Sequence, residues 1–443
     1  MKIPVILTLF GVICLSNFGN GQTGAGRVVC YYNSKSFTRP GPGKLSINDL
    51  EPALSFCTHL VYGFAKLNPE TNKLISSNED LDFDKGMKLY HTITGLKRKF
   101  PHLKVILSLG GGADDETGYQ HEKYLTMLES SAARIAFINS AHTMINSYDF
   151  DGLDLAWQFP PNKPKKIHSA IGSIWKGFKK IFTGDSILDE KADEHREQFV
   201  ALIRELRNAF RADGYILSLT VLPNVNSTIF YDVPALINNL DFVNLAAFDF
   251  YTPERNPKQA DYPAPLYELN DRNPEDNVNY WVQYWLNNRA PATKLNVGIP
   301  LYGRAWKMTA DSGITGVPPL PETTNEAPPG PQIGAVGLLS WPEVCAKLLN
   351  PSNAHLKKED APLRKVGDPT KRFGSYAYRT ADDDGEHGLW VGYEDPDTAG
   401  NKAAYVRAKG LGGIALFDLS LDDFRGTCTG DKFPILRAAK YRL

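Results

Sequence analysis

Short apolar runs alternate along the chain with longer stretches whose apolar residues recur at helical spacing. The stretch Glu194–Ala212 shows the helical pattern, with apolar residues such as Phe199, Leu202 and Leu206 on one face. The short apolar runs have the length of buried β-strands. They predict eight strands: Val28–Tyr32, His59–Ala65, Lys104–Gly110, Gly152–Phe159, Ile216–Leu222, Phe242–Phe250, Leu295–Leu301 and Gly413–Leu419.

Eight strand–helix units favour an α/β fold in which eight parallel strands close into a (β/α) TIM barrel. We expect the barrel over residues 27–306 and 390–443. An open, doubly wound sheet is the alternative. It is weakened because no glycine-rich phosphate loop follows the first predicted strand.

Two segments interrupt the alternation. Residues 161–193, after the fourth strand, are rich in lysine and contain apolar residues at helical spacing. This basic insertion is interpreted as an amphipathic helix that caps the barrel rim, or as a basic face that binds acidic glycans or a receptor. Residues 307–389, after the seventh strand, are long enough for a small inserted α+β subdomain. Such a subdomain would form one wall of a cleft at the carboxyl ends of the strands, where barrel enzymes carry their sites.

The amino terminus has the pattern of a cleaved signal peptide, expected over residues 1–21. Lys2 precedes the apolar run Ile3–Leu15, which is followed by small and polar residues. The apolar run is too short to span a bilayer, and no other segment is apolar enough, so we predict a secreted protein without membrane insertion. Lys and Arg total 49 against 50 Asp and Glu, so charge gives no argument for a nucleic-acid partner.

Four cysteines follow the predicted signal peptide, an even number typical of an oxidising route. They permit three pairings. Cys30 and Cys57 lie near the starts of consecutive predicted strands, which favours Cys30–Cys57 and leaves Cys345–Cys428. No pair has the spacing of zinc ligands. Asn226 begins the one N-glycosylation sequon, Asn-Ser-Thr, and is predicted to carry a glycan.

The stretch Phe150–Pro160, Phe-Asp-Gly-Leu-Asp-Leu-Ala-Trp-Gln-Phe-Pro, carries the candidate chemistry. In a strand, side chains alternate, so Asp154, Ala156 and Gln158 are predicted to face the barrel axis, with Gln158 nearest the mouth. An aspartate inside a barrel must be hydrogen-bonded or paired, because its burial otherwise costs free energy.

This stretch resembles the motif Asp-Gly-x-Asp-x-Asp-Trp-Glu of glycoside hydrolase family 18, the chitinases, and is most similar to the insect imaginal disc growth factors within that family. Asp151 and Asp154 match the motif, whereas Ala156 and Gln158 replace its third aspartate and its glutamate. Further matching pieces cover nearly the whole mature chain. They are Cys-Tyr-Tyr from Cys30, Leu-Ser-Leu-Gly-Gly from Leu107, Leu-Tyr-Gly-Arg from Leu301, Gly412-Gly413 and Leu-Asp-Asp-Phe from Leu421.

The resemblance implies a substrate-assisted hydrolysis in active relatives, in which the glutamic acid protonates the glycosidic oxygen and the third aspartate stabilises the oxazolinium charge. An amide such as that of Gln158 supplies no proton at useful pH, and general acid catalysis is worth about 10²–10⁴ in rate. Ala156 removes the stabilising carboxylate. The chain is therefore expected to be a degenerate glycoside hydrolase that is not an enzyme and needs no cofactor or metal.

The departures extend to the other strands. Phe248 stands where the family has a tyrosine, beside a retained Asp249, and Phe417 replaces a tryptophan that floors the sugar subsite. Gly112 replaces a second tryptophan. The remaining cleft candidates carried over from the family are Tyr32, Phe64, Tyr302 and Arg304.

The resemblance implies a secreted, monomeric growth factor that supports cell proliferation, development or tissue remodelling through a cell-surface receptor. Weak binding of chitin-like oligosaccharides is expected at most, because aromatic stacking platforms are lost. The alternatives are a lectin-like or structural cuticle protein, and a residual glycoside hydrolase that uses another acid. Asp249 and Glu254, after the sixth strand, are the candidates for that acid.

Overall fold

The computed structural model describes residues 26–111, 121–162 and 189–443. Eight parallel strands close into the predicted barrel, since the first strand pairs with both the second and the eighth. The barrel strands are Arg27–Asn33, His59–Leu67, Lys104–Gly110, Gly152–Ala156, Ile216–Val221, Phe242–Leu245, Leu295–Pro300 and Gly413–Phe417.

Helices cover the outside of the barrel. The predicted helix near Glu194 runs over Ala192–Phe210 and buries its apolar face, including Phe199 and Leu202. Among the described residues, the other helices of at least seven residues are Ile47–Leu54, Leu89–Gly95, His121–Glu129, Ser131–Ser147, Val278–Asn287, Trp341–Lys347, Pro396–Ala408 and Pro434–Arg442. Of these, Trp341–Lys347 packs on the inserted sheet described below.

Two barrel strands end three or more residues earlier than the apolar pattern predicts. The fourth stops at Ala156 and the sixth at Leu245, because the chain there leaves the barrel and turns across its mouth. Asp249 accordingly has φ of 57°, a left-handed backbone that no strand residue adopts. The residues beyond these ends, Gln158 and Asp249 among them, are thus held by mouth loops.

A five-stranded antiparallel sheet forms the subdomain inserted between the seventh and eighth barrel strands. Its first strand begins at Tyr302 and its last in chain order ends at Tyr393, so the sheet extends past both ends of the expected 307–389 segment. In spatial order the strands are Leu338–Ser340, Tyr302–Met308, Gly388–Tyr393, Ser375–Arg379 and Arg364–Gly367.

Both favoured disulfides are present. Cys30 in the first barrel strand is bonded to Cys57, and Cys345 of the subdomain is bonded to Cys428, which follows the eighth strand. The second bond therefore fastens the inserted sheet to the end of the barrel.

Three expectations concern residues outside the described ranges: the signal peptide over 1–21, Gly112, and most of the basic insertion at 161–193. No helix in the described part of the chain combines the length and the apolar character needed to cross a bilayer.

Candidate functional site

A carboxylate lies at the centre of the barrel. Asp154 is fully buried and accepts hydrogen bonds from the hydroxyls of Tyr31 at 3.0 Å, Ser108 at 2.8 Å, Ser218 at 2.8 Å and Thr220 at 3.0 Å. Burial raises the pKa of Asp154, and the four hydroxyls oppose that rise. The aspartate thus has the partners that its burial requires.

The polar network continues down the barrel axis. Asn244 donates to the Tyr31 oxygen at 2.8 Å, Asn296 donates to the amide oxygen of Asn244 at 2.9 Å, and Arg27 donates to Asn296 at 3.2 Å. These residues were absent from the predicted site. The alternation of side chains that predicts Asp154 inside the barrel also predicts Tyr31, Asn244 and Asn296 inside. These three residues could therefore have been identified from the sequence.

A cleft of about 420 Å³ opens above this network, at the carboxyl ends of the strands. The ring of Phe417 stacks on Tyr31 with centroids 4.1 Å apart, and Phe248 meets it edge-on at 5.3 Å. Phe64 and Ala156 also line the cleft. The part of the floor formed by described residues is therefore largely aromatic and aliphatic.

Gln158 lies in this cleft, where a proton donor is expected in an active relative. It is 8% exposed, and its side-chain N–H donates to the backbone carbonyl of Gly111 at 2.6 Å. Gly111 has a positive φ of 52°, and a Cβ there would lie 2.3 Å from the Phe64 ring. Glycine is thus required at the position that anchors the Gln158 amide.

The rim carries an ion-pair cluster. Arg304 donates through Nε to one oxygen of Asp249 at 2.9 Å and through Nη2 to the other at 2.6 Å, while the Tyr302 hydroxyl donates at 2.8 Å. Burial opposes the charge of Arg304, but Asp249 outweighs it and raises the arginine pKa. Burial and the same carboxylate raise the pKa of Tyr302, so its hydroxyl stays protonated.

The structure separates two motif residues from the cleft. Tyr32 was expected to line it, but its ring is fully buried outside the barrel against Tyr62, at 5.8 Å, because the strand alternation turns Tyr31 inward instead. Asp151 lies at the opposite end of the fourth strand, where it accepts a hydrogen bond from the Val105 backbone N–H at 2.8 Å and pairs with Lys97.

Asn226 caps the helix Ser227–Phe230 with its side chain, which accepts a hydrogen bond from the backbone N–H of Thr228. Its glycosylation stays a prediction. In the described residues, no group of three or more His, Cys, Asp or Glu side chains is placed to hold a metal ion.

The model of the family described as glycosyl hydrolases family 18 matches residues 27–422. The chain belongs to glycosyl hydrolase family 18. Within it, the chain is of the imaginal disc growth factor type. It is 66% identical to the chitinase-like protein Idgf4 of Glossina morsitans morsitans, over 100% of both chains. It is 58% identical to imaginal disk growth factor 6 of Drosophila melanogaster, over 97% of both.

Solved family 18 structures share the fold over nearly the whole chain. Catalytic domain 2 of the Ostrinia furnacalis Group II chitinase superposes with a TM-score of 0.77 at 32% identity, covering 95% of this chain and 96% of that one. Human YKL-39, described as a pseudo-chitinase with retained chitooligosaccharide binding properties, gives 0.73 at 27% identity, covering 94% and 99%. The fold is thus shared by family members described as chitinases and by a pseudo-chitinase.

Proposed function

We propose that this family 18 protein is secreted, does not hydrolyse glycosides, and acts as an extracellular growth factor that supports cell proliferation, development or tissue remodelling. The observation that carries the lack of hydrolysis is the amide of Gln158, which has no acidic proton and donates its N–H to Gly111. Ala156 adds to it, because a methyl group at this position offers no carboxylate to stabilise a developing positive charge.

The alternative of a hydrolase with another acid fits the geometry poorly. Both oxygens of Asp249 accept hydrogen bonds from Arg304 and Tyr302, so the carboxyl group is turned toward these two side chains. Glu254 is exposed on the rim, with an oxygen 4.0 Å from Arg304. Neither carboxyl is presented as a proton donor over the floor of the cleft.

Turnover of soluble chitin oligomers tests the absence of catalysis. We expect no hydrolysis by the wild type, and none approaching family rates from Gln158→Glu alone. A glutamate there must be protonated to keep the bond to Gly111, and that proton points at a backbone carbonyl. Ala156 and Phe248 also remain unchanged in that variant. If the wild type hydrolyses the oligomers and Asp249→Ala abolishes that activity, the proposal is contradicted. If Gln158→Glu alone reaches turnover typical of the family, the changes at Ala156 and Phe248 matter less than proposed.

The growth-promoting role rests on relatives. One relative of the chain bears the name imaginal disk growth factor, and the relatives cited above match it over almost their full length. Secretion is supported by the signal-like amino terminus and by two disulfides, which form in oxidising compartments.

Purified protein added to cultured insect cells tests this role. We expect increased cell number, retained by Gln158→Glu because the effect does not require hydrolysis. Wild-type protein that leaves proliferation unchanged over a concentration series would contradict a growth factor. Mass spectrometry of the medium of expressing cells reports secretion and removal of the leader.

Weak binding of chitin-like oligosaccharides is a second candidate function. It is supported by the rim cluster of Asp249, Tyr302 and Arg304 and by the binding ascribed to YKL-39. Calorimetry with chitotetraose measures it. Arg304→Gln is expected to weaken such binding, because Asp249 then loses the group that orients it.

A further inference from the structure

A second cavity, of about 320 Å³, lies where the edge strand of the inserted sheet approaches two of the outer helices. It is lined by the strand Arg364–Gly367, by the turn after that strand, and by residues of the helices Pro396–Ala408 and Pro434–Arg442. Its described lining has no residue in common with that of the cleft. The cationic lining residues are Lys365, Lys371, Arg372, Lys402 and Arg442, and the acidic ones are Asp368, Asp395 and Asp397. What the cavity binds therefore depends on which of these charges are already paired.

Two of the cations and two of the acids in this lining already have partners. The ammonium group of Lys365 pairs with the buried Asp395 at 2.8 Å, and that of Lys402 pairs with the buried Glu394. The carboxylate of Asp368 accepts hydrogen bonds from three backbone N–H groups of its own turn. These groups hold the walls of the cavity together, so they contribute little free charge to it.

Arg372 is held in place by aromatic rings and keeps its hydrogen-bond donors unused. The central carbon of its guanidinium lies 4.7 Å from the centroid of the Tyr267 ring and 5.9 Å from that of Phe373. Stacking of this kind orients the planar group without using its N–H donors. Within the described part of the chain, no acceptor bonds to these N–H groups. The side chain is thus preorganised to bind an anion.

Arg442 is positioned by a glycine on the opposite wall. Its side chain crosses Gly400 in the middle of the helix Pro396–Ala408, where a Cβ would lie 2.9 Å from the arginine Cδ. Glycine is unfavourable in the interior of a helix, and at this position it makes room for Arg442. One guanidinium N–H donates to the amide oxygen of Asn401 at 3.2 Å. The other donors of this guanidinium have no acceptor among the described residues.

We propose that this cavity binds a sugar that carries a sulfate or phosphate ester. In its described lining, three cations without an ion-pair partner, Lys371, Arg372 and Arg442, stand against one such acid, Asp397. Three cationic side chains match the three terminal oxygens of a sulfate or phosphate ester, whereas a carboxylate offers two. A cavity of 150 Å³ holds benzene, so about 320 Å³ has room for a sugar ring that bears one ester.

Calorimetry at low salt with five small probes tests this ligand class: glucose 6-sulfate, glucose 6-phosphate, glucuronic acid, glucose and inorganic phosphate. We expect the better of the two esters to bind about tenfold more tightly than glucuronic acid, and glucose not to bind. The tighter ester identifies the group that the cavity prefers. Glucuronic acid equal to both esters, or inorganic phosphate equal to glucose 6-phosphate, would overturn the proposal. The assay uses purified protein, so its outcome is independent of the growth-promoting function.

Variants of the lining charges locate the site. Arg372→Gln and Arg442→Gln are each expected to weaken binding of the preferred ester about tenfold, because each removes a charge-assisted hydrogen bond. Asp397→Asn is expected to tighten binding about threefold, since it removes the unpaired acid. Misfolding cannot produce a gain in affinity, so Asp397→Asn keeps the test decisive if an arginine variant does not fold.

Two exposed residues outside the lining supply matched controls, Arg98→Gln for the arginine variants and Glu70→Gln for Asp397→Asn. Each control makes the same change in net charge, so long-range attraction of the anion changes equally. We expect both controls to bind the ester as the wild type does. If Arg98→Gln weakens binding as much as Arg372→Gln and Arg442→Gln do, or if neither of those two variants weakens it, the proposed site is refuted.

Discussion

Removing the carboxylate at the centre of the barrel provides a sharp test of the interior network. Asp154→Ala leaves the hydroxyls of Ser108 and Ser218 with no acceptor in the described part of the chain, whereas Tyr31 keeps Thr220 as a partner. Each buried hydroxyl left unpaired costs about 1–3 kcal/mol. Loss of the buried charge offsets part of that cost, because the raised pKa of Asp154 shows that burial disfavours ionisation.

We therefore expect Asp154→Ala to lower the free energy of unfolding by about 2–4 kcal/mol. Urea unfolding followed by tryptophan fluorescence measures it, with midpoints compared at equal slope. Asp154→Asn should lose less, since it keeps one acceptor. Adding Ser108→Ala and Ser218→Ala to Asp154→Ala should restore part of the loss, because the unpaired hydroxyls are then gone. Asp154→Ala within about 0.5 kcal/mol of wild type, the range of ordinary surface substitutions, would refute the reasoning.

Three further predictions concern other parts of the fold. Burial raises the pKa of Asp422 to about 7, so the folded state holds this proton more tightly than the unfolded chain between pH ~4 and ~7. Stability should fall as pH rises through that window, by at most about 1.4 kcal/mol per pH unit, and Asp422→Asn should flatten the dependence of the urea midpoint on pH. Arg304→Gln leaves the buried Asp249 carboxylate without its ion pair and should cost about 2–4 kcal/mol in urea unfolding; an unchanged midpoint would show that water replaces the guanidinium. Replacing Cys345 and Cys428 by alanine opens a loop of 83 residues and should cost about 4 kcal/mol under oxidising conditions, with no difference from wild type once both proteins are fully reduced.

The barrel was predictable because its strands are buried on both faces and so appear as apolar runs of strand length. All eight predicted strands exist, and the pairing of Cys30 with Cys57 was favoured because two adjacent strand starts lie close together. Strand ends were less predictable. The residues after Ala156 and Leu245 remain apolar while they cross the mouth, and apolarity alone does not distinguish a buried loop from a strand.

The sequence motif predicted the central residues of the site, but several residues that surround them were not predicted. The alternation of side chains along a strand correctly places Asp154 inside the barrel. The same alternation places Tyr31 inside and Tyr32 outside, but Tyr32 was assigned to the cleft because it matches the family motif. The pairing of Asp249 with Arg304 joins a mouth loop to a subdomain strand 55 residues away. Its geometry depends on how the inserted sheet packs on the barrel, which no local pattern encodes.

The positions at which this chain departs from the family motif are also physically compatible with one another. Ala156 and Phe248 remove polar groups from the floor, and Phe417 then covers Tyr31, so that the network around Asp154 is closed beneath a ring. The side-chain N–H of Gln158 donates to the backbone carbonyl of Gly111. An ionised glutamate at this position would instead place a carboxylate oxygen against that carbonyl oxygen, and the two would repel each other. Burial in such a floor would desolvate an ionised acid, which costs free energy unless the charge is paired. Glutamine keeps the shape of glutamate and satisfies the carbonyl at every pH, so in this apolar setting the substitution that removes the proton donor also removes a source of instability.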